Sequence, residues 1–293
     1  MVEVFLGREA LGDGLSRHQL RRWYQPIFRG VYVPKRATPS LRDRAVGAWL
    51  SSNRTGVIAG VAASALHGAA WVDDTEPVEV LVDERRRQPG LIVRMDRFSN
   101  DEVMTVDGLP VTTPGRTAFD LGRYLRRSAA MARLDALLRA APFGAGDVEL
   151  LMRRYGPVRG VRQLRELLPS VDAGAASPKE SWLRLLLVDG GLPAPETQIP
   201  VLDGEFPIAF IDMGWRAIRL GVEYDGDQHR TDRRQYVKDL RRLPMLEKRG
   251  WEMIRVIAED SPARVLHRVM EAFTRRGGFE NDELARATCS FAA

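Results

Sequence analysis

The stretch IDMGWRAIRLGVEYDGDQH, residues 211–229, holds the side chains best placed to do chemistry. Asp212 ends one apolar run, and Glu223 and Asp225 end another. Two antiparallel strands joined by a short turn would bring Asp212 to the same sheet edge as Glu223. Glu223 and Asp225 are two apart and so share a strand face. Three carboxylates drawn together repel one another and raise each other's pKa, which a central cation relieves. Hard oxygen ligands suit Mg2+ or Mn2+ rather than zinc. Asp212, Glu223 and Asp225 are therefore the expected metal ligands, and the ion would polarise a phosphodiester and steady its leaving oxygen. His229 follows a turn at Gly226 that could fold it back over this face, where it would act as acid or base. Singly, each residue has a plainer role: Asp212 as a strand end, Asp225-Gly226 as a turn, His229 as a surface histidine. Their conjunction points to a phosphodiester-cleaving site.

Several elements must position these groups. SPKESWLRLLLVDGG reads as a helix with Ser177 as N-cap, Pro178 at its first position and Gly190-Gly191 at its end. Glu180 lies three residues after the cap, which gives it a complete structural explanation as the partner in a capping box. TQIPVLDGEFPIAFIDMGW reads as strands around an Asp203-Gly204 turn, and IRLGVEYD as a buried strand. A helix is expected over 232–249, with Pro244 kinking or ending it. WEMIRVIA is the last strand and 261–276 the last helix. This order predicts a mixed sheet flanked by helices.

The small, polar stretch VDAGAASP, 171–178, is the best domain boundary in the chain. Ahead of it, Arg17 to Trp23 reads as a short helix capped by Ser16, followed by a β element around Gly30. A helix, a β element and arginines outline a winged helix. Helices are expected over 40–71, strands at 77–83, 91–95 and 110–113, a long helix over 115–141, and a helical hairpin to about Leu168. Trp71 and Trp251 read as core anchors, and His67 as a packed, hydrogen-bonded histidine. The expected fold class is α/β in the mixed α+β sense. A winged-helix-like module spans 1–36, an α/β middle region 37–170, a second α/β domain 171–280, and a tail 281–293.

Composition bounds the partners. With 293 residues, 44% hydrophobic and 28% charged, the chain can build two cores. The formal charge of +5, carried largely by arginine, leans toward a polyanion. Cys289 is the only cysteine, so neither an internal disulfide nor a cysteine metal site is expected. MVEVFLGREA lacks a signal pattern, and no apolar run reaches the roughly 18 residues that span a bilayer. A cytoplasmic protein without a membrane partner is expected.

Residues 177–260 resemble an uncharacterised family related to the very-short-patch-repair endonucleases, within the PD-(D/E)XK superfamily. Glu180, Gln198, Asp212, the run Glu223-Tyr224-Asp225-Gly226, His229, Asp239, Arg242, Gly250 and Arg255 carry the resemblance. It implies a restriction-endonuclease-like fold and Mg2+-dependent DNA cleavage. Glu180 would then act through the metal's outer sphere, and Lys238 and Arg242 would contact the scissile phosphate. The lysine of the usual motif is absent: position 225 is Asp. The segments LSRHQLRRW, FRGVYVP and AGVAASALHGAAW are similar to the antitoxins of type IV abortive-infection systems. That resemblance implies duplex DNA binding, with Arg17, His18, Arg21 and Arg22 on phosphates or base edges and Arg29 in the wing. A solvated basic helix face is the plainer alternative. Together these readings predict a DNA-binding, metal-dependent endodeoxyribonuclease. The alternative is a non-catalytic DNA-binding regulator or antitoxin, with a toxin or a second copy as its protein partner.

Overall fold

The computed structural model describes residues 2–83, 88–225 and 242–278. The chain divides into two compact units, one ending at Val171 and the other beginning at Asp172. Each has its own sheets and helices, so the architecture is mixed α+β.

The first unit opens with β1 (Phe5–Leu6), α1 (Gly7–Gly12), α2 (Arg17–Trp23), β2 (Tyr24–Phe28) and β3 (Val31–Pro34). The three strands form an antiparallel sheet in the order β1-β3-β2, an arrangement consistent with a winged helix. Ser16 starts α2 by accepting from the Gln19 amide at 3.1 Å, while the Gln19 side chain accepts from the Ser16 amide at 2.9 Å. This reciprocal box satisfies two backbone donors that the helix start leaves free. Gly30, at φ 76°, supplies the left-handed residue that turns β2 into β3.

Helix α3 (Leu41–Ser51) buries Leu41, Ala45, Ala48 and Leu50. These pack with Leu6, Phe28 and Val31 of the small sheet, and with Ile58, Val78 and Val111 of a second sheet, in one continuous core. The second sheet comprises β4 (Val57–Ala59), β5 (Val78–Leu81), β6 (Leu91–Arg94), β7 (Val103–Val106) and β8 (Leu109–Thr112), in the order β6-β5-β4-β8-β7. Helix α4 (Gly60–Leu66) follows β4 directly. The helices expected over 40–71, the second from Ser64 to Trp71, are thus α3 and α4, and the strand β4 between them was not expected. The expected helix over 115–141 is also two: α5 (Pro114–Tyr124) and α6 (Arg127–Ala140), separated by Leu125 in an extended conformation. Helices α7 (Ala145–Tyr155) and α8 (Val161–Leu167) complete the unit. Trp71 is 57% exposed and anchors no core, whereas Trp251 is buried. His67 meets the Thr112 carbonyl at 2.7 Å.

The second unit begins with α9 (Pro178–Asp189), capped by Ser177. Strands β9 (Glu196–Asp203), β10 (Phe206–Trp215) and β11 (Leu220–Asp225) run antiparallel in sequence. A helix, α10, covers 242–248 with Pro244 in its first described turn. Strand β12 (Glu252–Ile257) then pairs parallel with β11, and α11 (Pro262–Arg275) follows. The sheet order is β12-β11-β10-β9. Leu183 and Leu187 of α9 and Val265 and Val269 of α11 cover Met213, Trp215, Leu220 and Val222. Leu246 and Trp251 pack with Ile199, Val201, Ala209 and Ile211. The β10–β11 pair is therefore fixed from several sides, and its register sets the geometry of the acidic residues. No helix among the described residues is long and apolar enough to cross a membrane.

Candidate functional site

Strand register decides which carboxylates meet. Met213 lies opposite Val222, so Asp212 and Glu223 are the next pair along the two strands. The third acid in the neighbourhood is Glu180 of α9. Burial, Glu223 and Glu180 together push the Asp212 carboxyl up to about 7. Asp225 pairs instead with Arg255 of β12 at 2.8 Å. Parallel pairing with β12 places Arg255 opposite Glu223 on the neighbouring strand, within reach of Asp225 two residues along.

Glu180 keeps its capping role as well. Its carboxylate accepts from the Ala176 amide at 2.8 Å and from the Ser177 hydroxyl at 2.9 Å. The Ser177 hydroxyl in turn accepts from the Glu180 amide at 3.2 Å.

Arg242 is committed to Glu223 rather than presented to an incoming phosphate. One guanidinium nitrogen donates to Glu223 Oε2 at 3.2 Å, and the other pairs with Oε1. The second nitrogen also donates to the Phe210 carbonyl at 3.0 Å, which ties it to β10. Glu223 is only 6% exposed, so this is a largely dry, two-pronged pair. Among the described residues, no group of three or more His, Cys, Asp or Glu side chains could hold a metal ion. His229 and Lys238 lie outside the described residues.

The basic residues singled out at the other end of the chain form a different kind of surface. Arg17, His18, Arg21 and Arg22 on α2 and Arg29 in the β2–β3 turn are all exposed. Leu20 is the buried residue that seats α2, so the remaining sides of this short helix face solvent. Arg22 stacks over Trp23 at 5.0 Å, and Trp23 is 58% exposed. The backbone amide of Arg29 donates to Gln88 at 2.7 Å, which steadies the turn. Residues 1–36 carry seven Lys and Arg against three Asp and Glu, so most of the chain's +5 resides in this module.

One polar assembly had no reading in the sequence. Arg116 of α5 is 1% exposed and pairs with Glu102 and, at 2.9 Å, with Asp120. Arg123 bridges Asp120 at 3.1 Å and Asp96 at 2.9 Å, while Arg154 and Tyr155 reach Glu102 at 2.6 and 2.5 Å. Burial pushes the Asp120 carboxyl up, against the pull of Arg116 and Arg123. Arg116, Asp120 and Arg123, spaced four and three apart on one helix, were the available signal. The network ties α5 and α7 to the 96–102 segment and engages its carboxylates with arginines rather than a substrate.

Residues 43–170 match the family described as AbiEi antitoxin C-terminal domain. A domain related to AbiEi-type antitoxins occupies this part of the chain. The match takes in α3 from Asp43 onward, the five-stranded sheet and the helices through α8. Two uncharacterized Mycobacterium tuberculosis proteins, from strains CDC 1551 and H37Rv, are each 28% identical over 259 residues. Each alignment covers 87% of this chain and 93% of the relative. No solved structure matches the chain.

Proposed function

We propose that this protein is a DNA-binding regulator of the antitoxin type, which grips duplex DNA through α2 and the β2–β3 turn. The observation that carries this reading is the exposed arginine face of α2, in a module that holds most of the net charge and shares its core with an antitoxin-related domain. Arg17, Arg21, Arg22 and Arg29 supply phosphate contacts, which fix position on the duplex, and His18, also exposed on α2, reaches phosphates or base edges beside them. A cognate toxin is the protein partner that the antitoxin relationship supports.

The competing reading is phosphodiester cleavage with Mg2+ or Mn2+. It asks Asp212, Glu223 and a third acid to turn toward one ion. Glu223 and Asp225 are each held by an arginine, so no reaction step is routed through that cluster.

The test is duplex binding by the full chain in a chelator, followed by fluorescence anisotropy over a salt series. Wild-type affinity should fall linearly with salt on logarithmic axes. Arg17→Ala/Arg21→Ala/Arg22→Ala should flatten the slope by roughly 0.9 for each phosphate no longer neutralised. Arg162→Ala, at an exposed residue paired with Glu166, serves as control and should leave the slope unchanged. Equal slopes for wild type and the triple variant would remove this function from α2.

A further inference from the structure

The Asp212–Glu223 edge invites a cation, and the fold already supplies one. Both oxygens of Glu223 face the Arg242 guanidinium, which is anchored a second time on the Phe210 carbonyl of β10. A guanidinium is planar, charged at every pH a protein survives, and suited to a two-pronged hold on a carboxylate. A Mg2+ ion on Glu223 would sit about 2.0–2.1 Å from a carboxylate oxygen, directly against Arg242 nitrogens. Two cations cannot share that place at ordinary cost in a site this buried. The next acid on the strand, Asp225, has its own arginine in Arg255.

We propose that Arg242 is the resident cation of this edge, filling the charge-compensating place of a divalent metal, so that the native protein takes up no Mg2+ or Mn2+ there. The acidic residues then serve to lock α10 onto β10 and β11 rather than to activate water. Removing the positive charge leaves the Asp212–Glu223 carboxylate pair without its cation, and a hydrated divalent ion can then take that place on two carboxylates while Glu180 stays on its helix cap. This inference concerns the second unit alone, and the salt-series experiment on α2 succeeds or fails independently of it.

The probe is Mn2+ itself, added in equimolar amount to the full chain and read by the electron paramagnetic resonance of the free ion. Wild type should leave the signal undiminished and show no rise in melting temperature beyond that of an ionic-strength control. Arg242→Gln should take up one equivalent. At ten times its dissociation constant, Mn2+ should raise that variant's melting temperature by roughly 3–6 °C. Arg242→Gln/Glu223→Gln, with a ligand gone as well, should lose the uptake. One equivalent bound by wild type and lost in Asp212→Asn would overturn the proposal, as would a folded Arg242→Gln that binds none. Should Arg242→Gln fail to fold, the double variant decides. Its folding would support Arg242 as Glu223's counter-charge, and its failure to fold would contradict that role.

Discussion

Asp212 gives the sharpest pH test of the second unit. Burial comes first among the causes that raise its carboxyl, followed by the Glu223 and Glu180 charges, and they move it from 3.8 to about 7. The folded state therefore holds this proton across a window in which the unfolded chain has released it. Stability falls with rising pH wherever the native state binds more protons than the unfolded state. The loss begins near pH 4, accumulates up to about pH 7, and is flat above. At about 1.36 kcal/mol per pKa unit, a rise of roughly three units corresponds to about 4 kcal/mol. Asp212 retains some solvent access, so a loss of about 2–4 kcal/mol is the expected range. Asp212→Asn is neutral at every pH and escapes the loss. Urea melts of wild type and Asp212→Asn from pH 4 to 8 should show the variant gaining on wild type steadily to about pH 7, then running parallel. Any fixed offset between Asn and protonated Asp cancels in this comparison. A difference that stays constant with pH, or shrinks as pH rises, would refute the arrangement of acids around Asp212.

Two further substitutions test the first unit. Arg116→Met strips the cation from Glu102 and Asp120 while both stay buried, and should cost roughly 3–5 kcal/mol in denaturant titration. A loss within 1 kcal/mol would mean the network is not the anchor of α5. Gly60 sits at φ 57°, and a Cβ there would lie 2.3 Å from Glu79 Oε1, which belongs to the carboxylate that Arg94 holds at 2.6 Å. Gly60→Ala should therefore cost roughly 1–3 kcal/mol and lower the melting temperature by several degrees, where a neutral result would contradict the β4–α4 turn.

What could be read from the sequence follows the range of the forces involved. Local chemistry was legible. Ser16 caps α2, Ser177 and Glu180 start α9, and Asp203-Gly204 turns β9 into β10. IRLGVEYD reads as a buried strand, and Leu220 and Val222 of β11 do lie in the core. The misses are long-range. Val57, Ile58 and Ala59 are buried and central in the sheet, so they lack the alternation that marks a half-exposed strand, and the alanines after them extend a helical pattern backwards. Leu125 breaks a run whose apolar spacing continues across the break. The arginine partners were the largest gap. Spacing brought Asp225 beside Glu223, but only the parallel pairing of β11 with β12 shows that Arg255 claims it. Arg242, expected on a phosphate, reaches Glu223 through a return of the chain that no local pattern records.

The most direct test of DNA binding through the N-terminal module is hydrogen–deuterium exchange of the full chain with and without duplex DNA, in a chelator and at low salt. Binding through α2 predicts slowed exchange in peptides covering residues 17–31, with the β10 and β11 peptides unchanged. Protection confined to β10 and β11, with α2 exchanging as in the free protein, would place the DNA on the second unit and contradict a regulator that grips DNA with its winged-helix module.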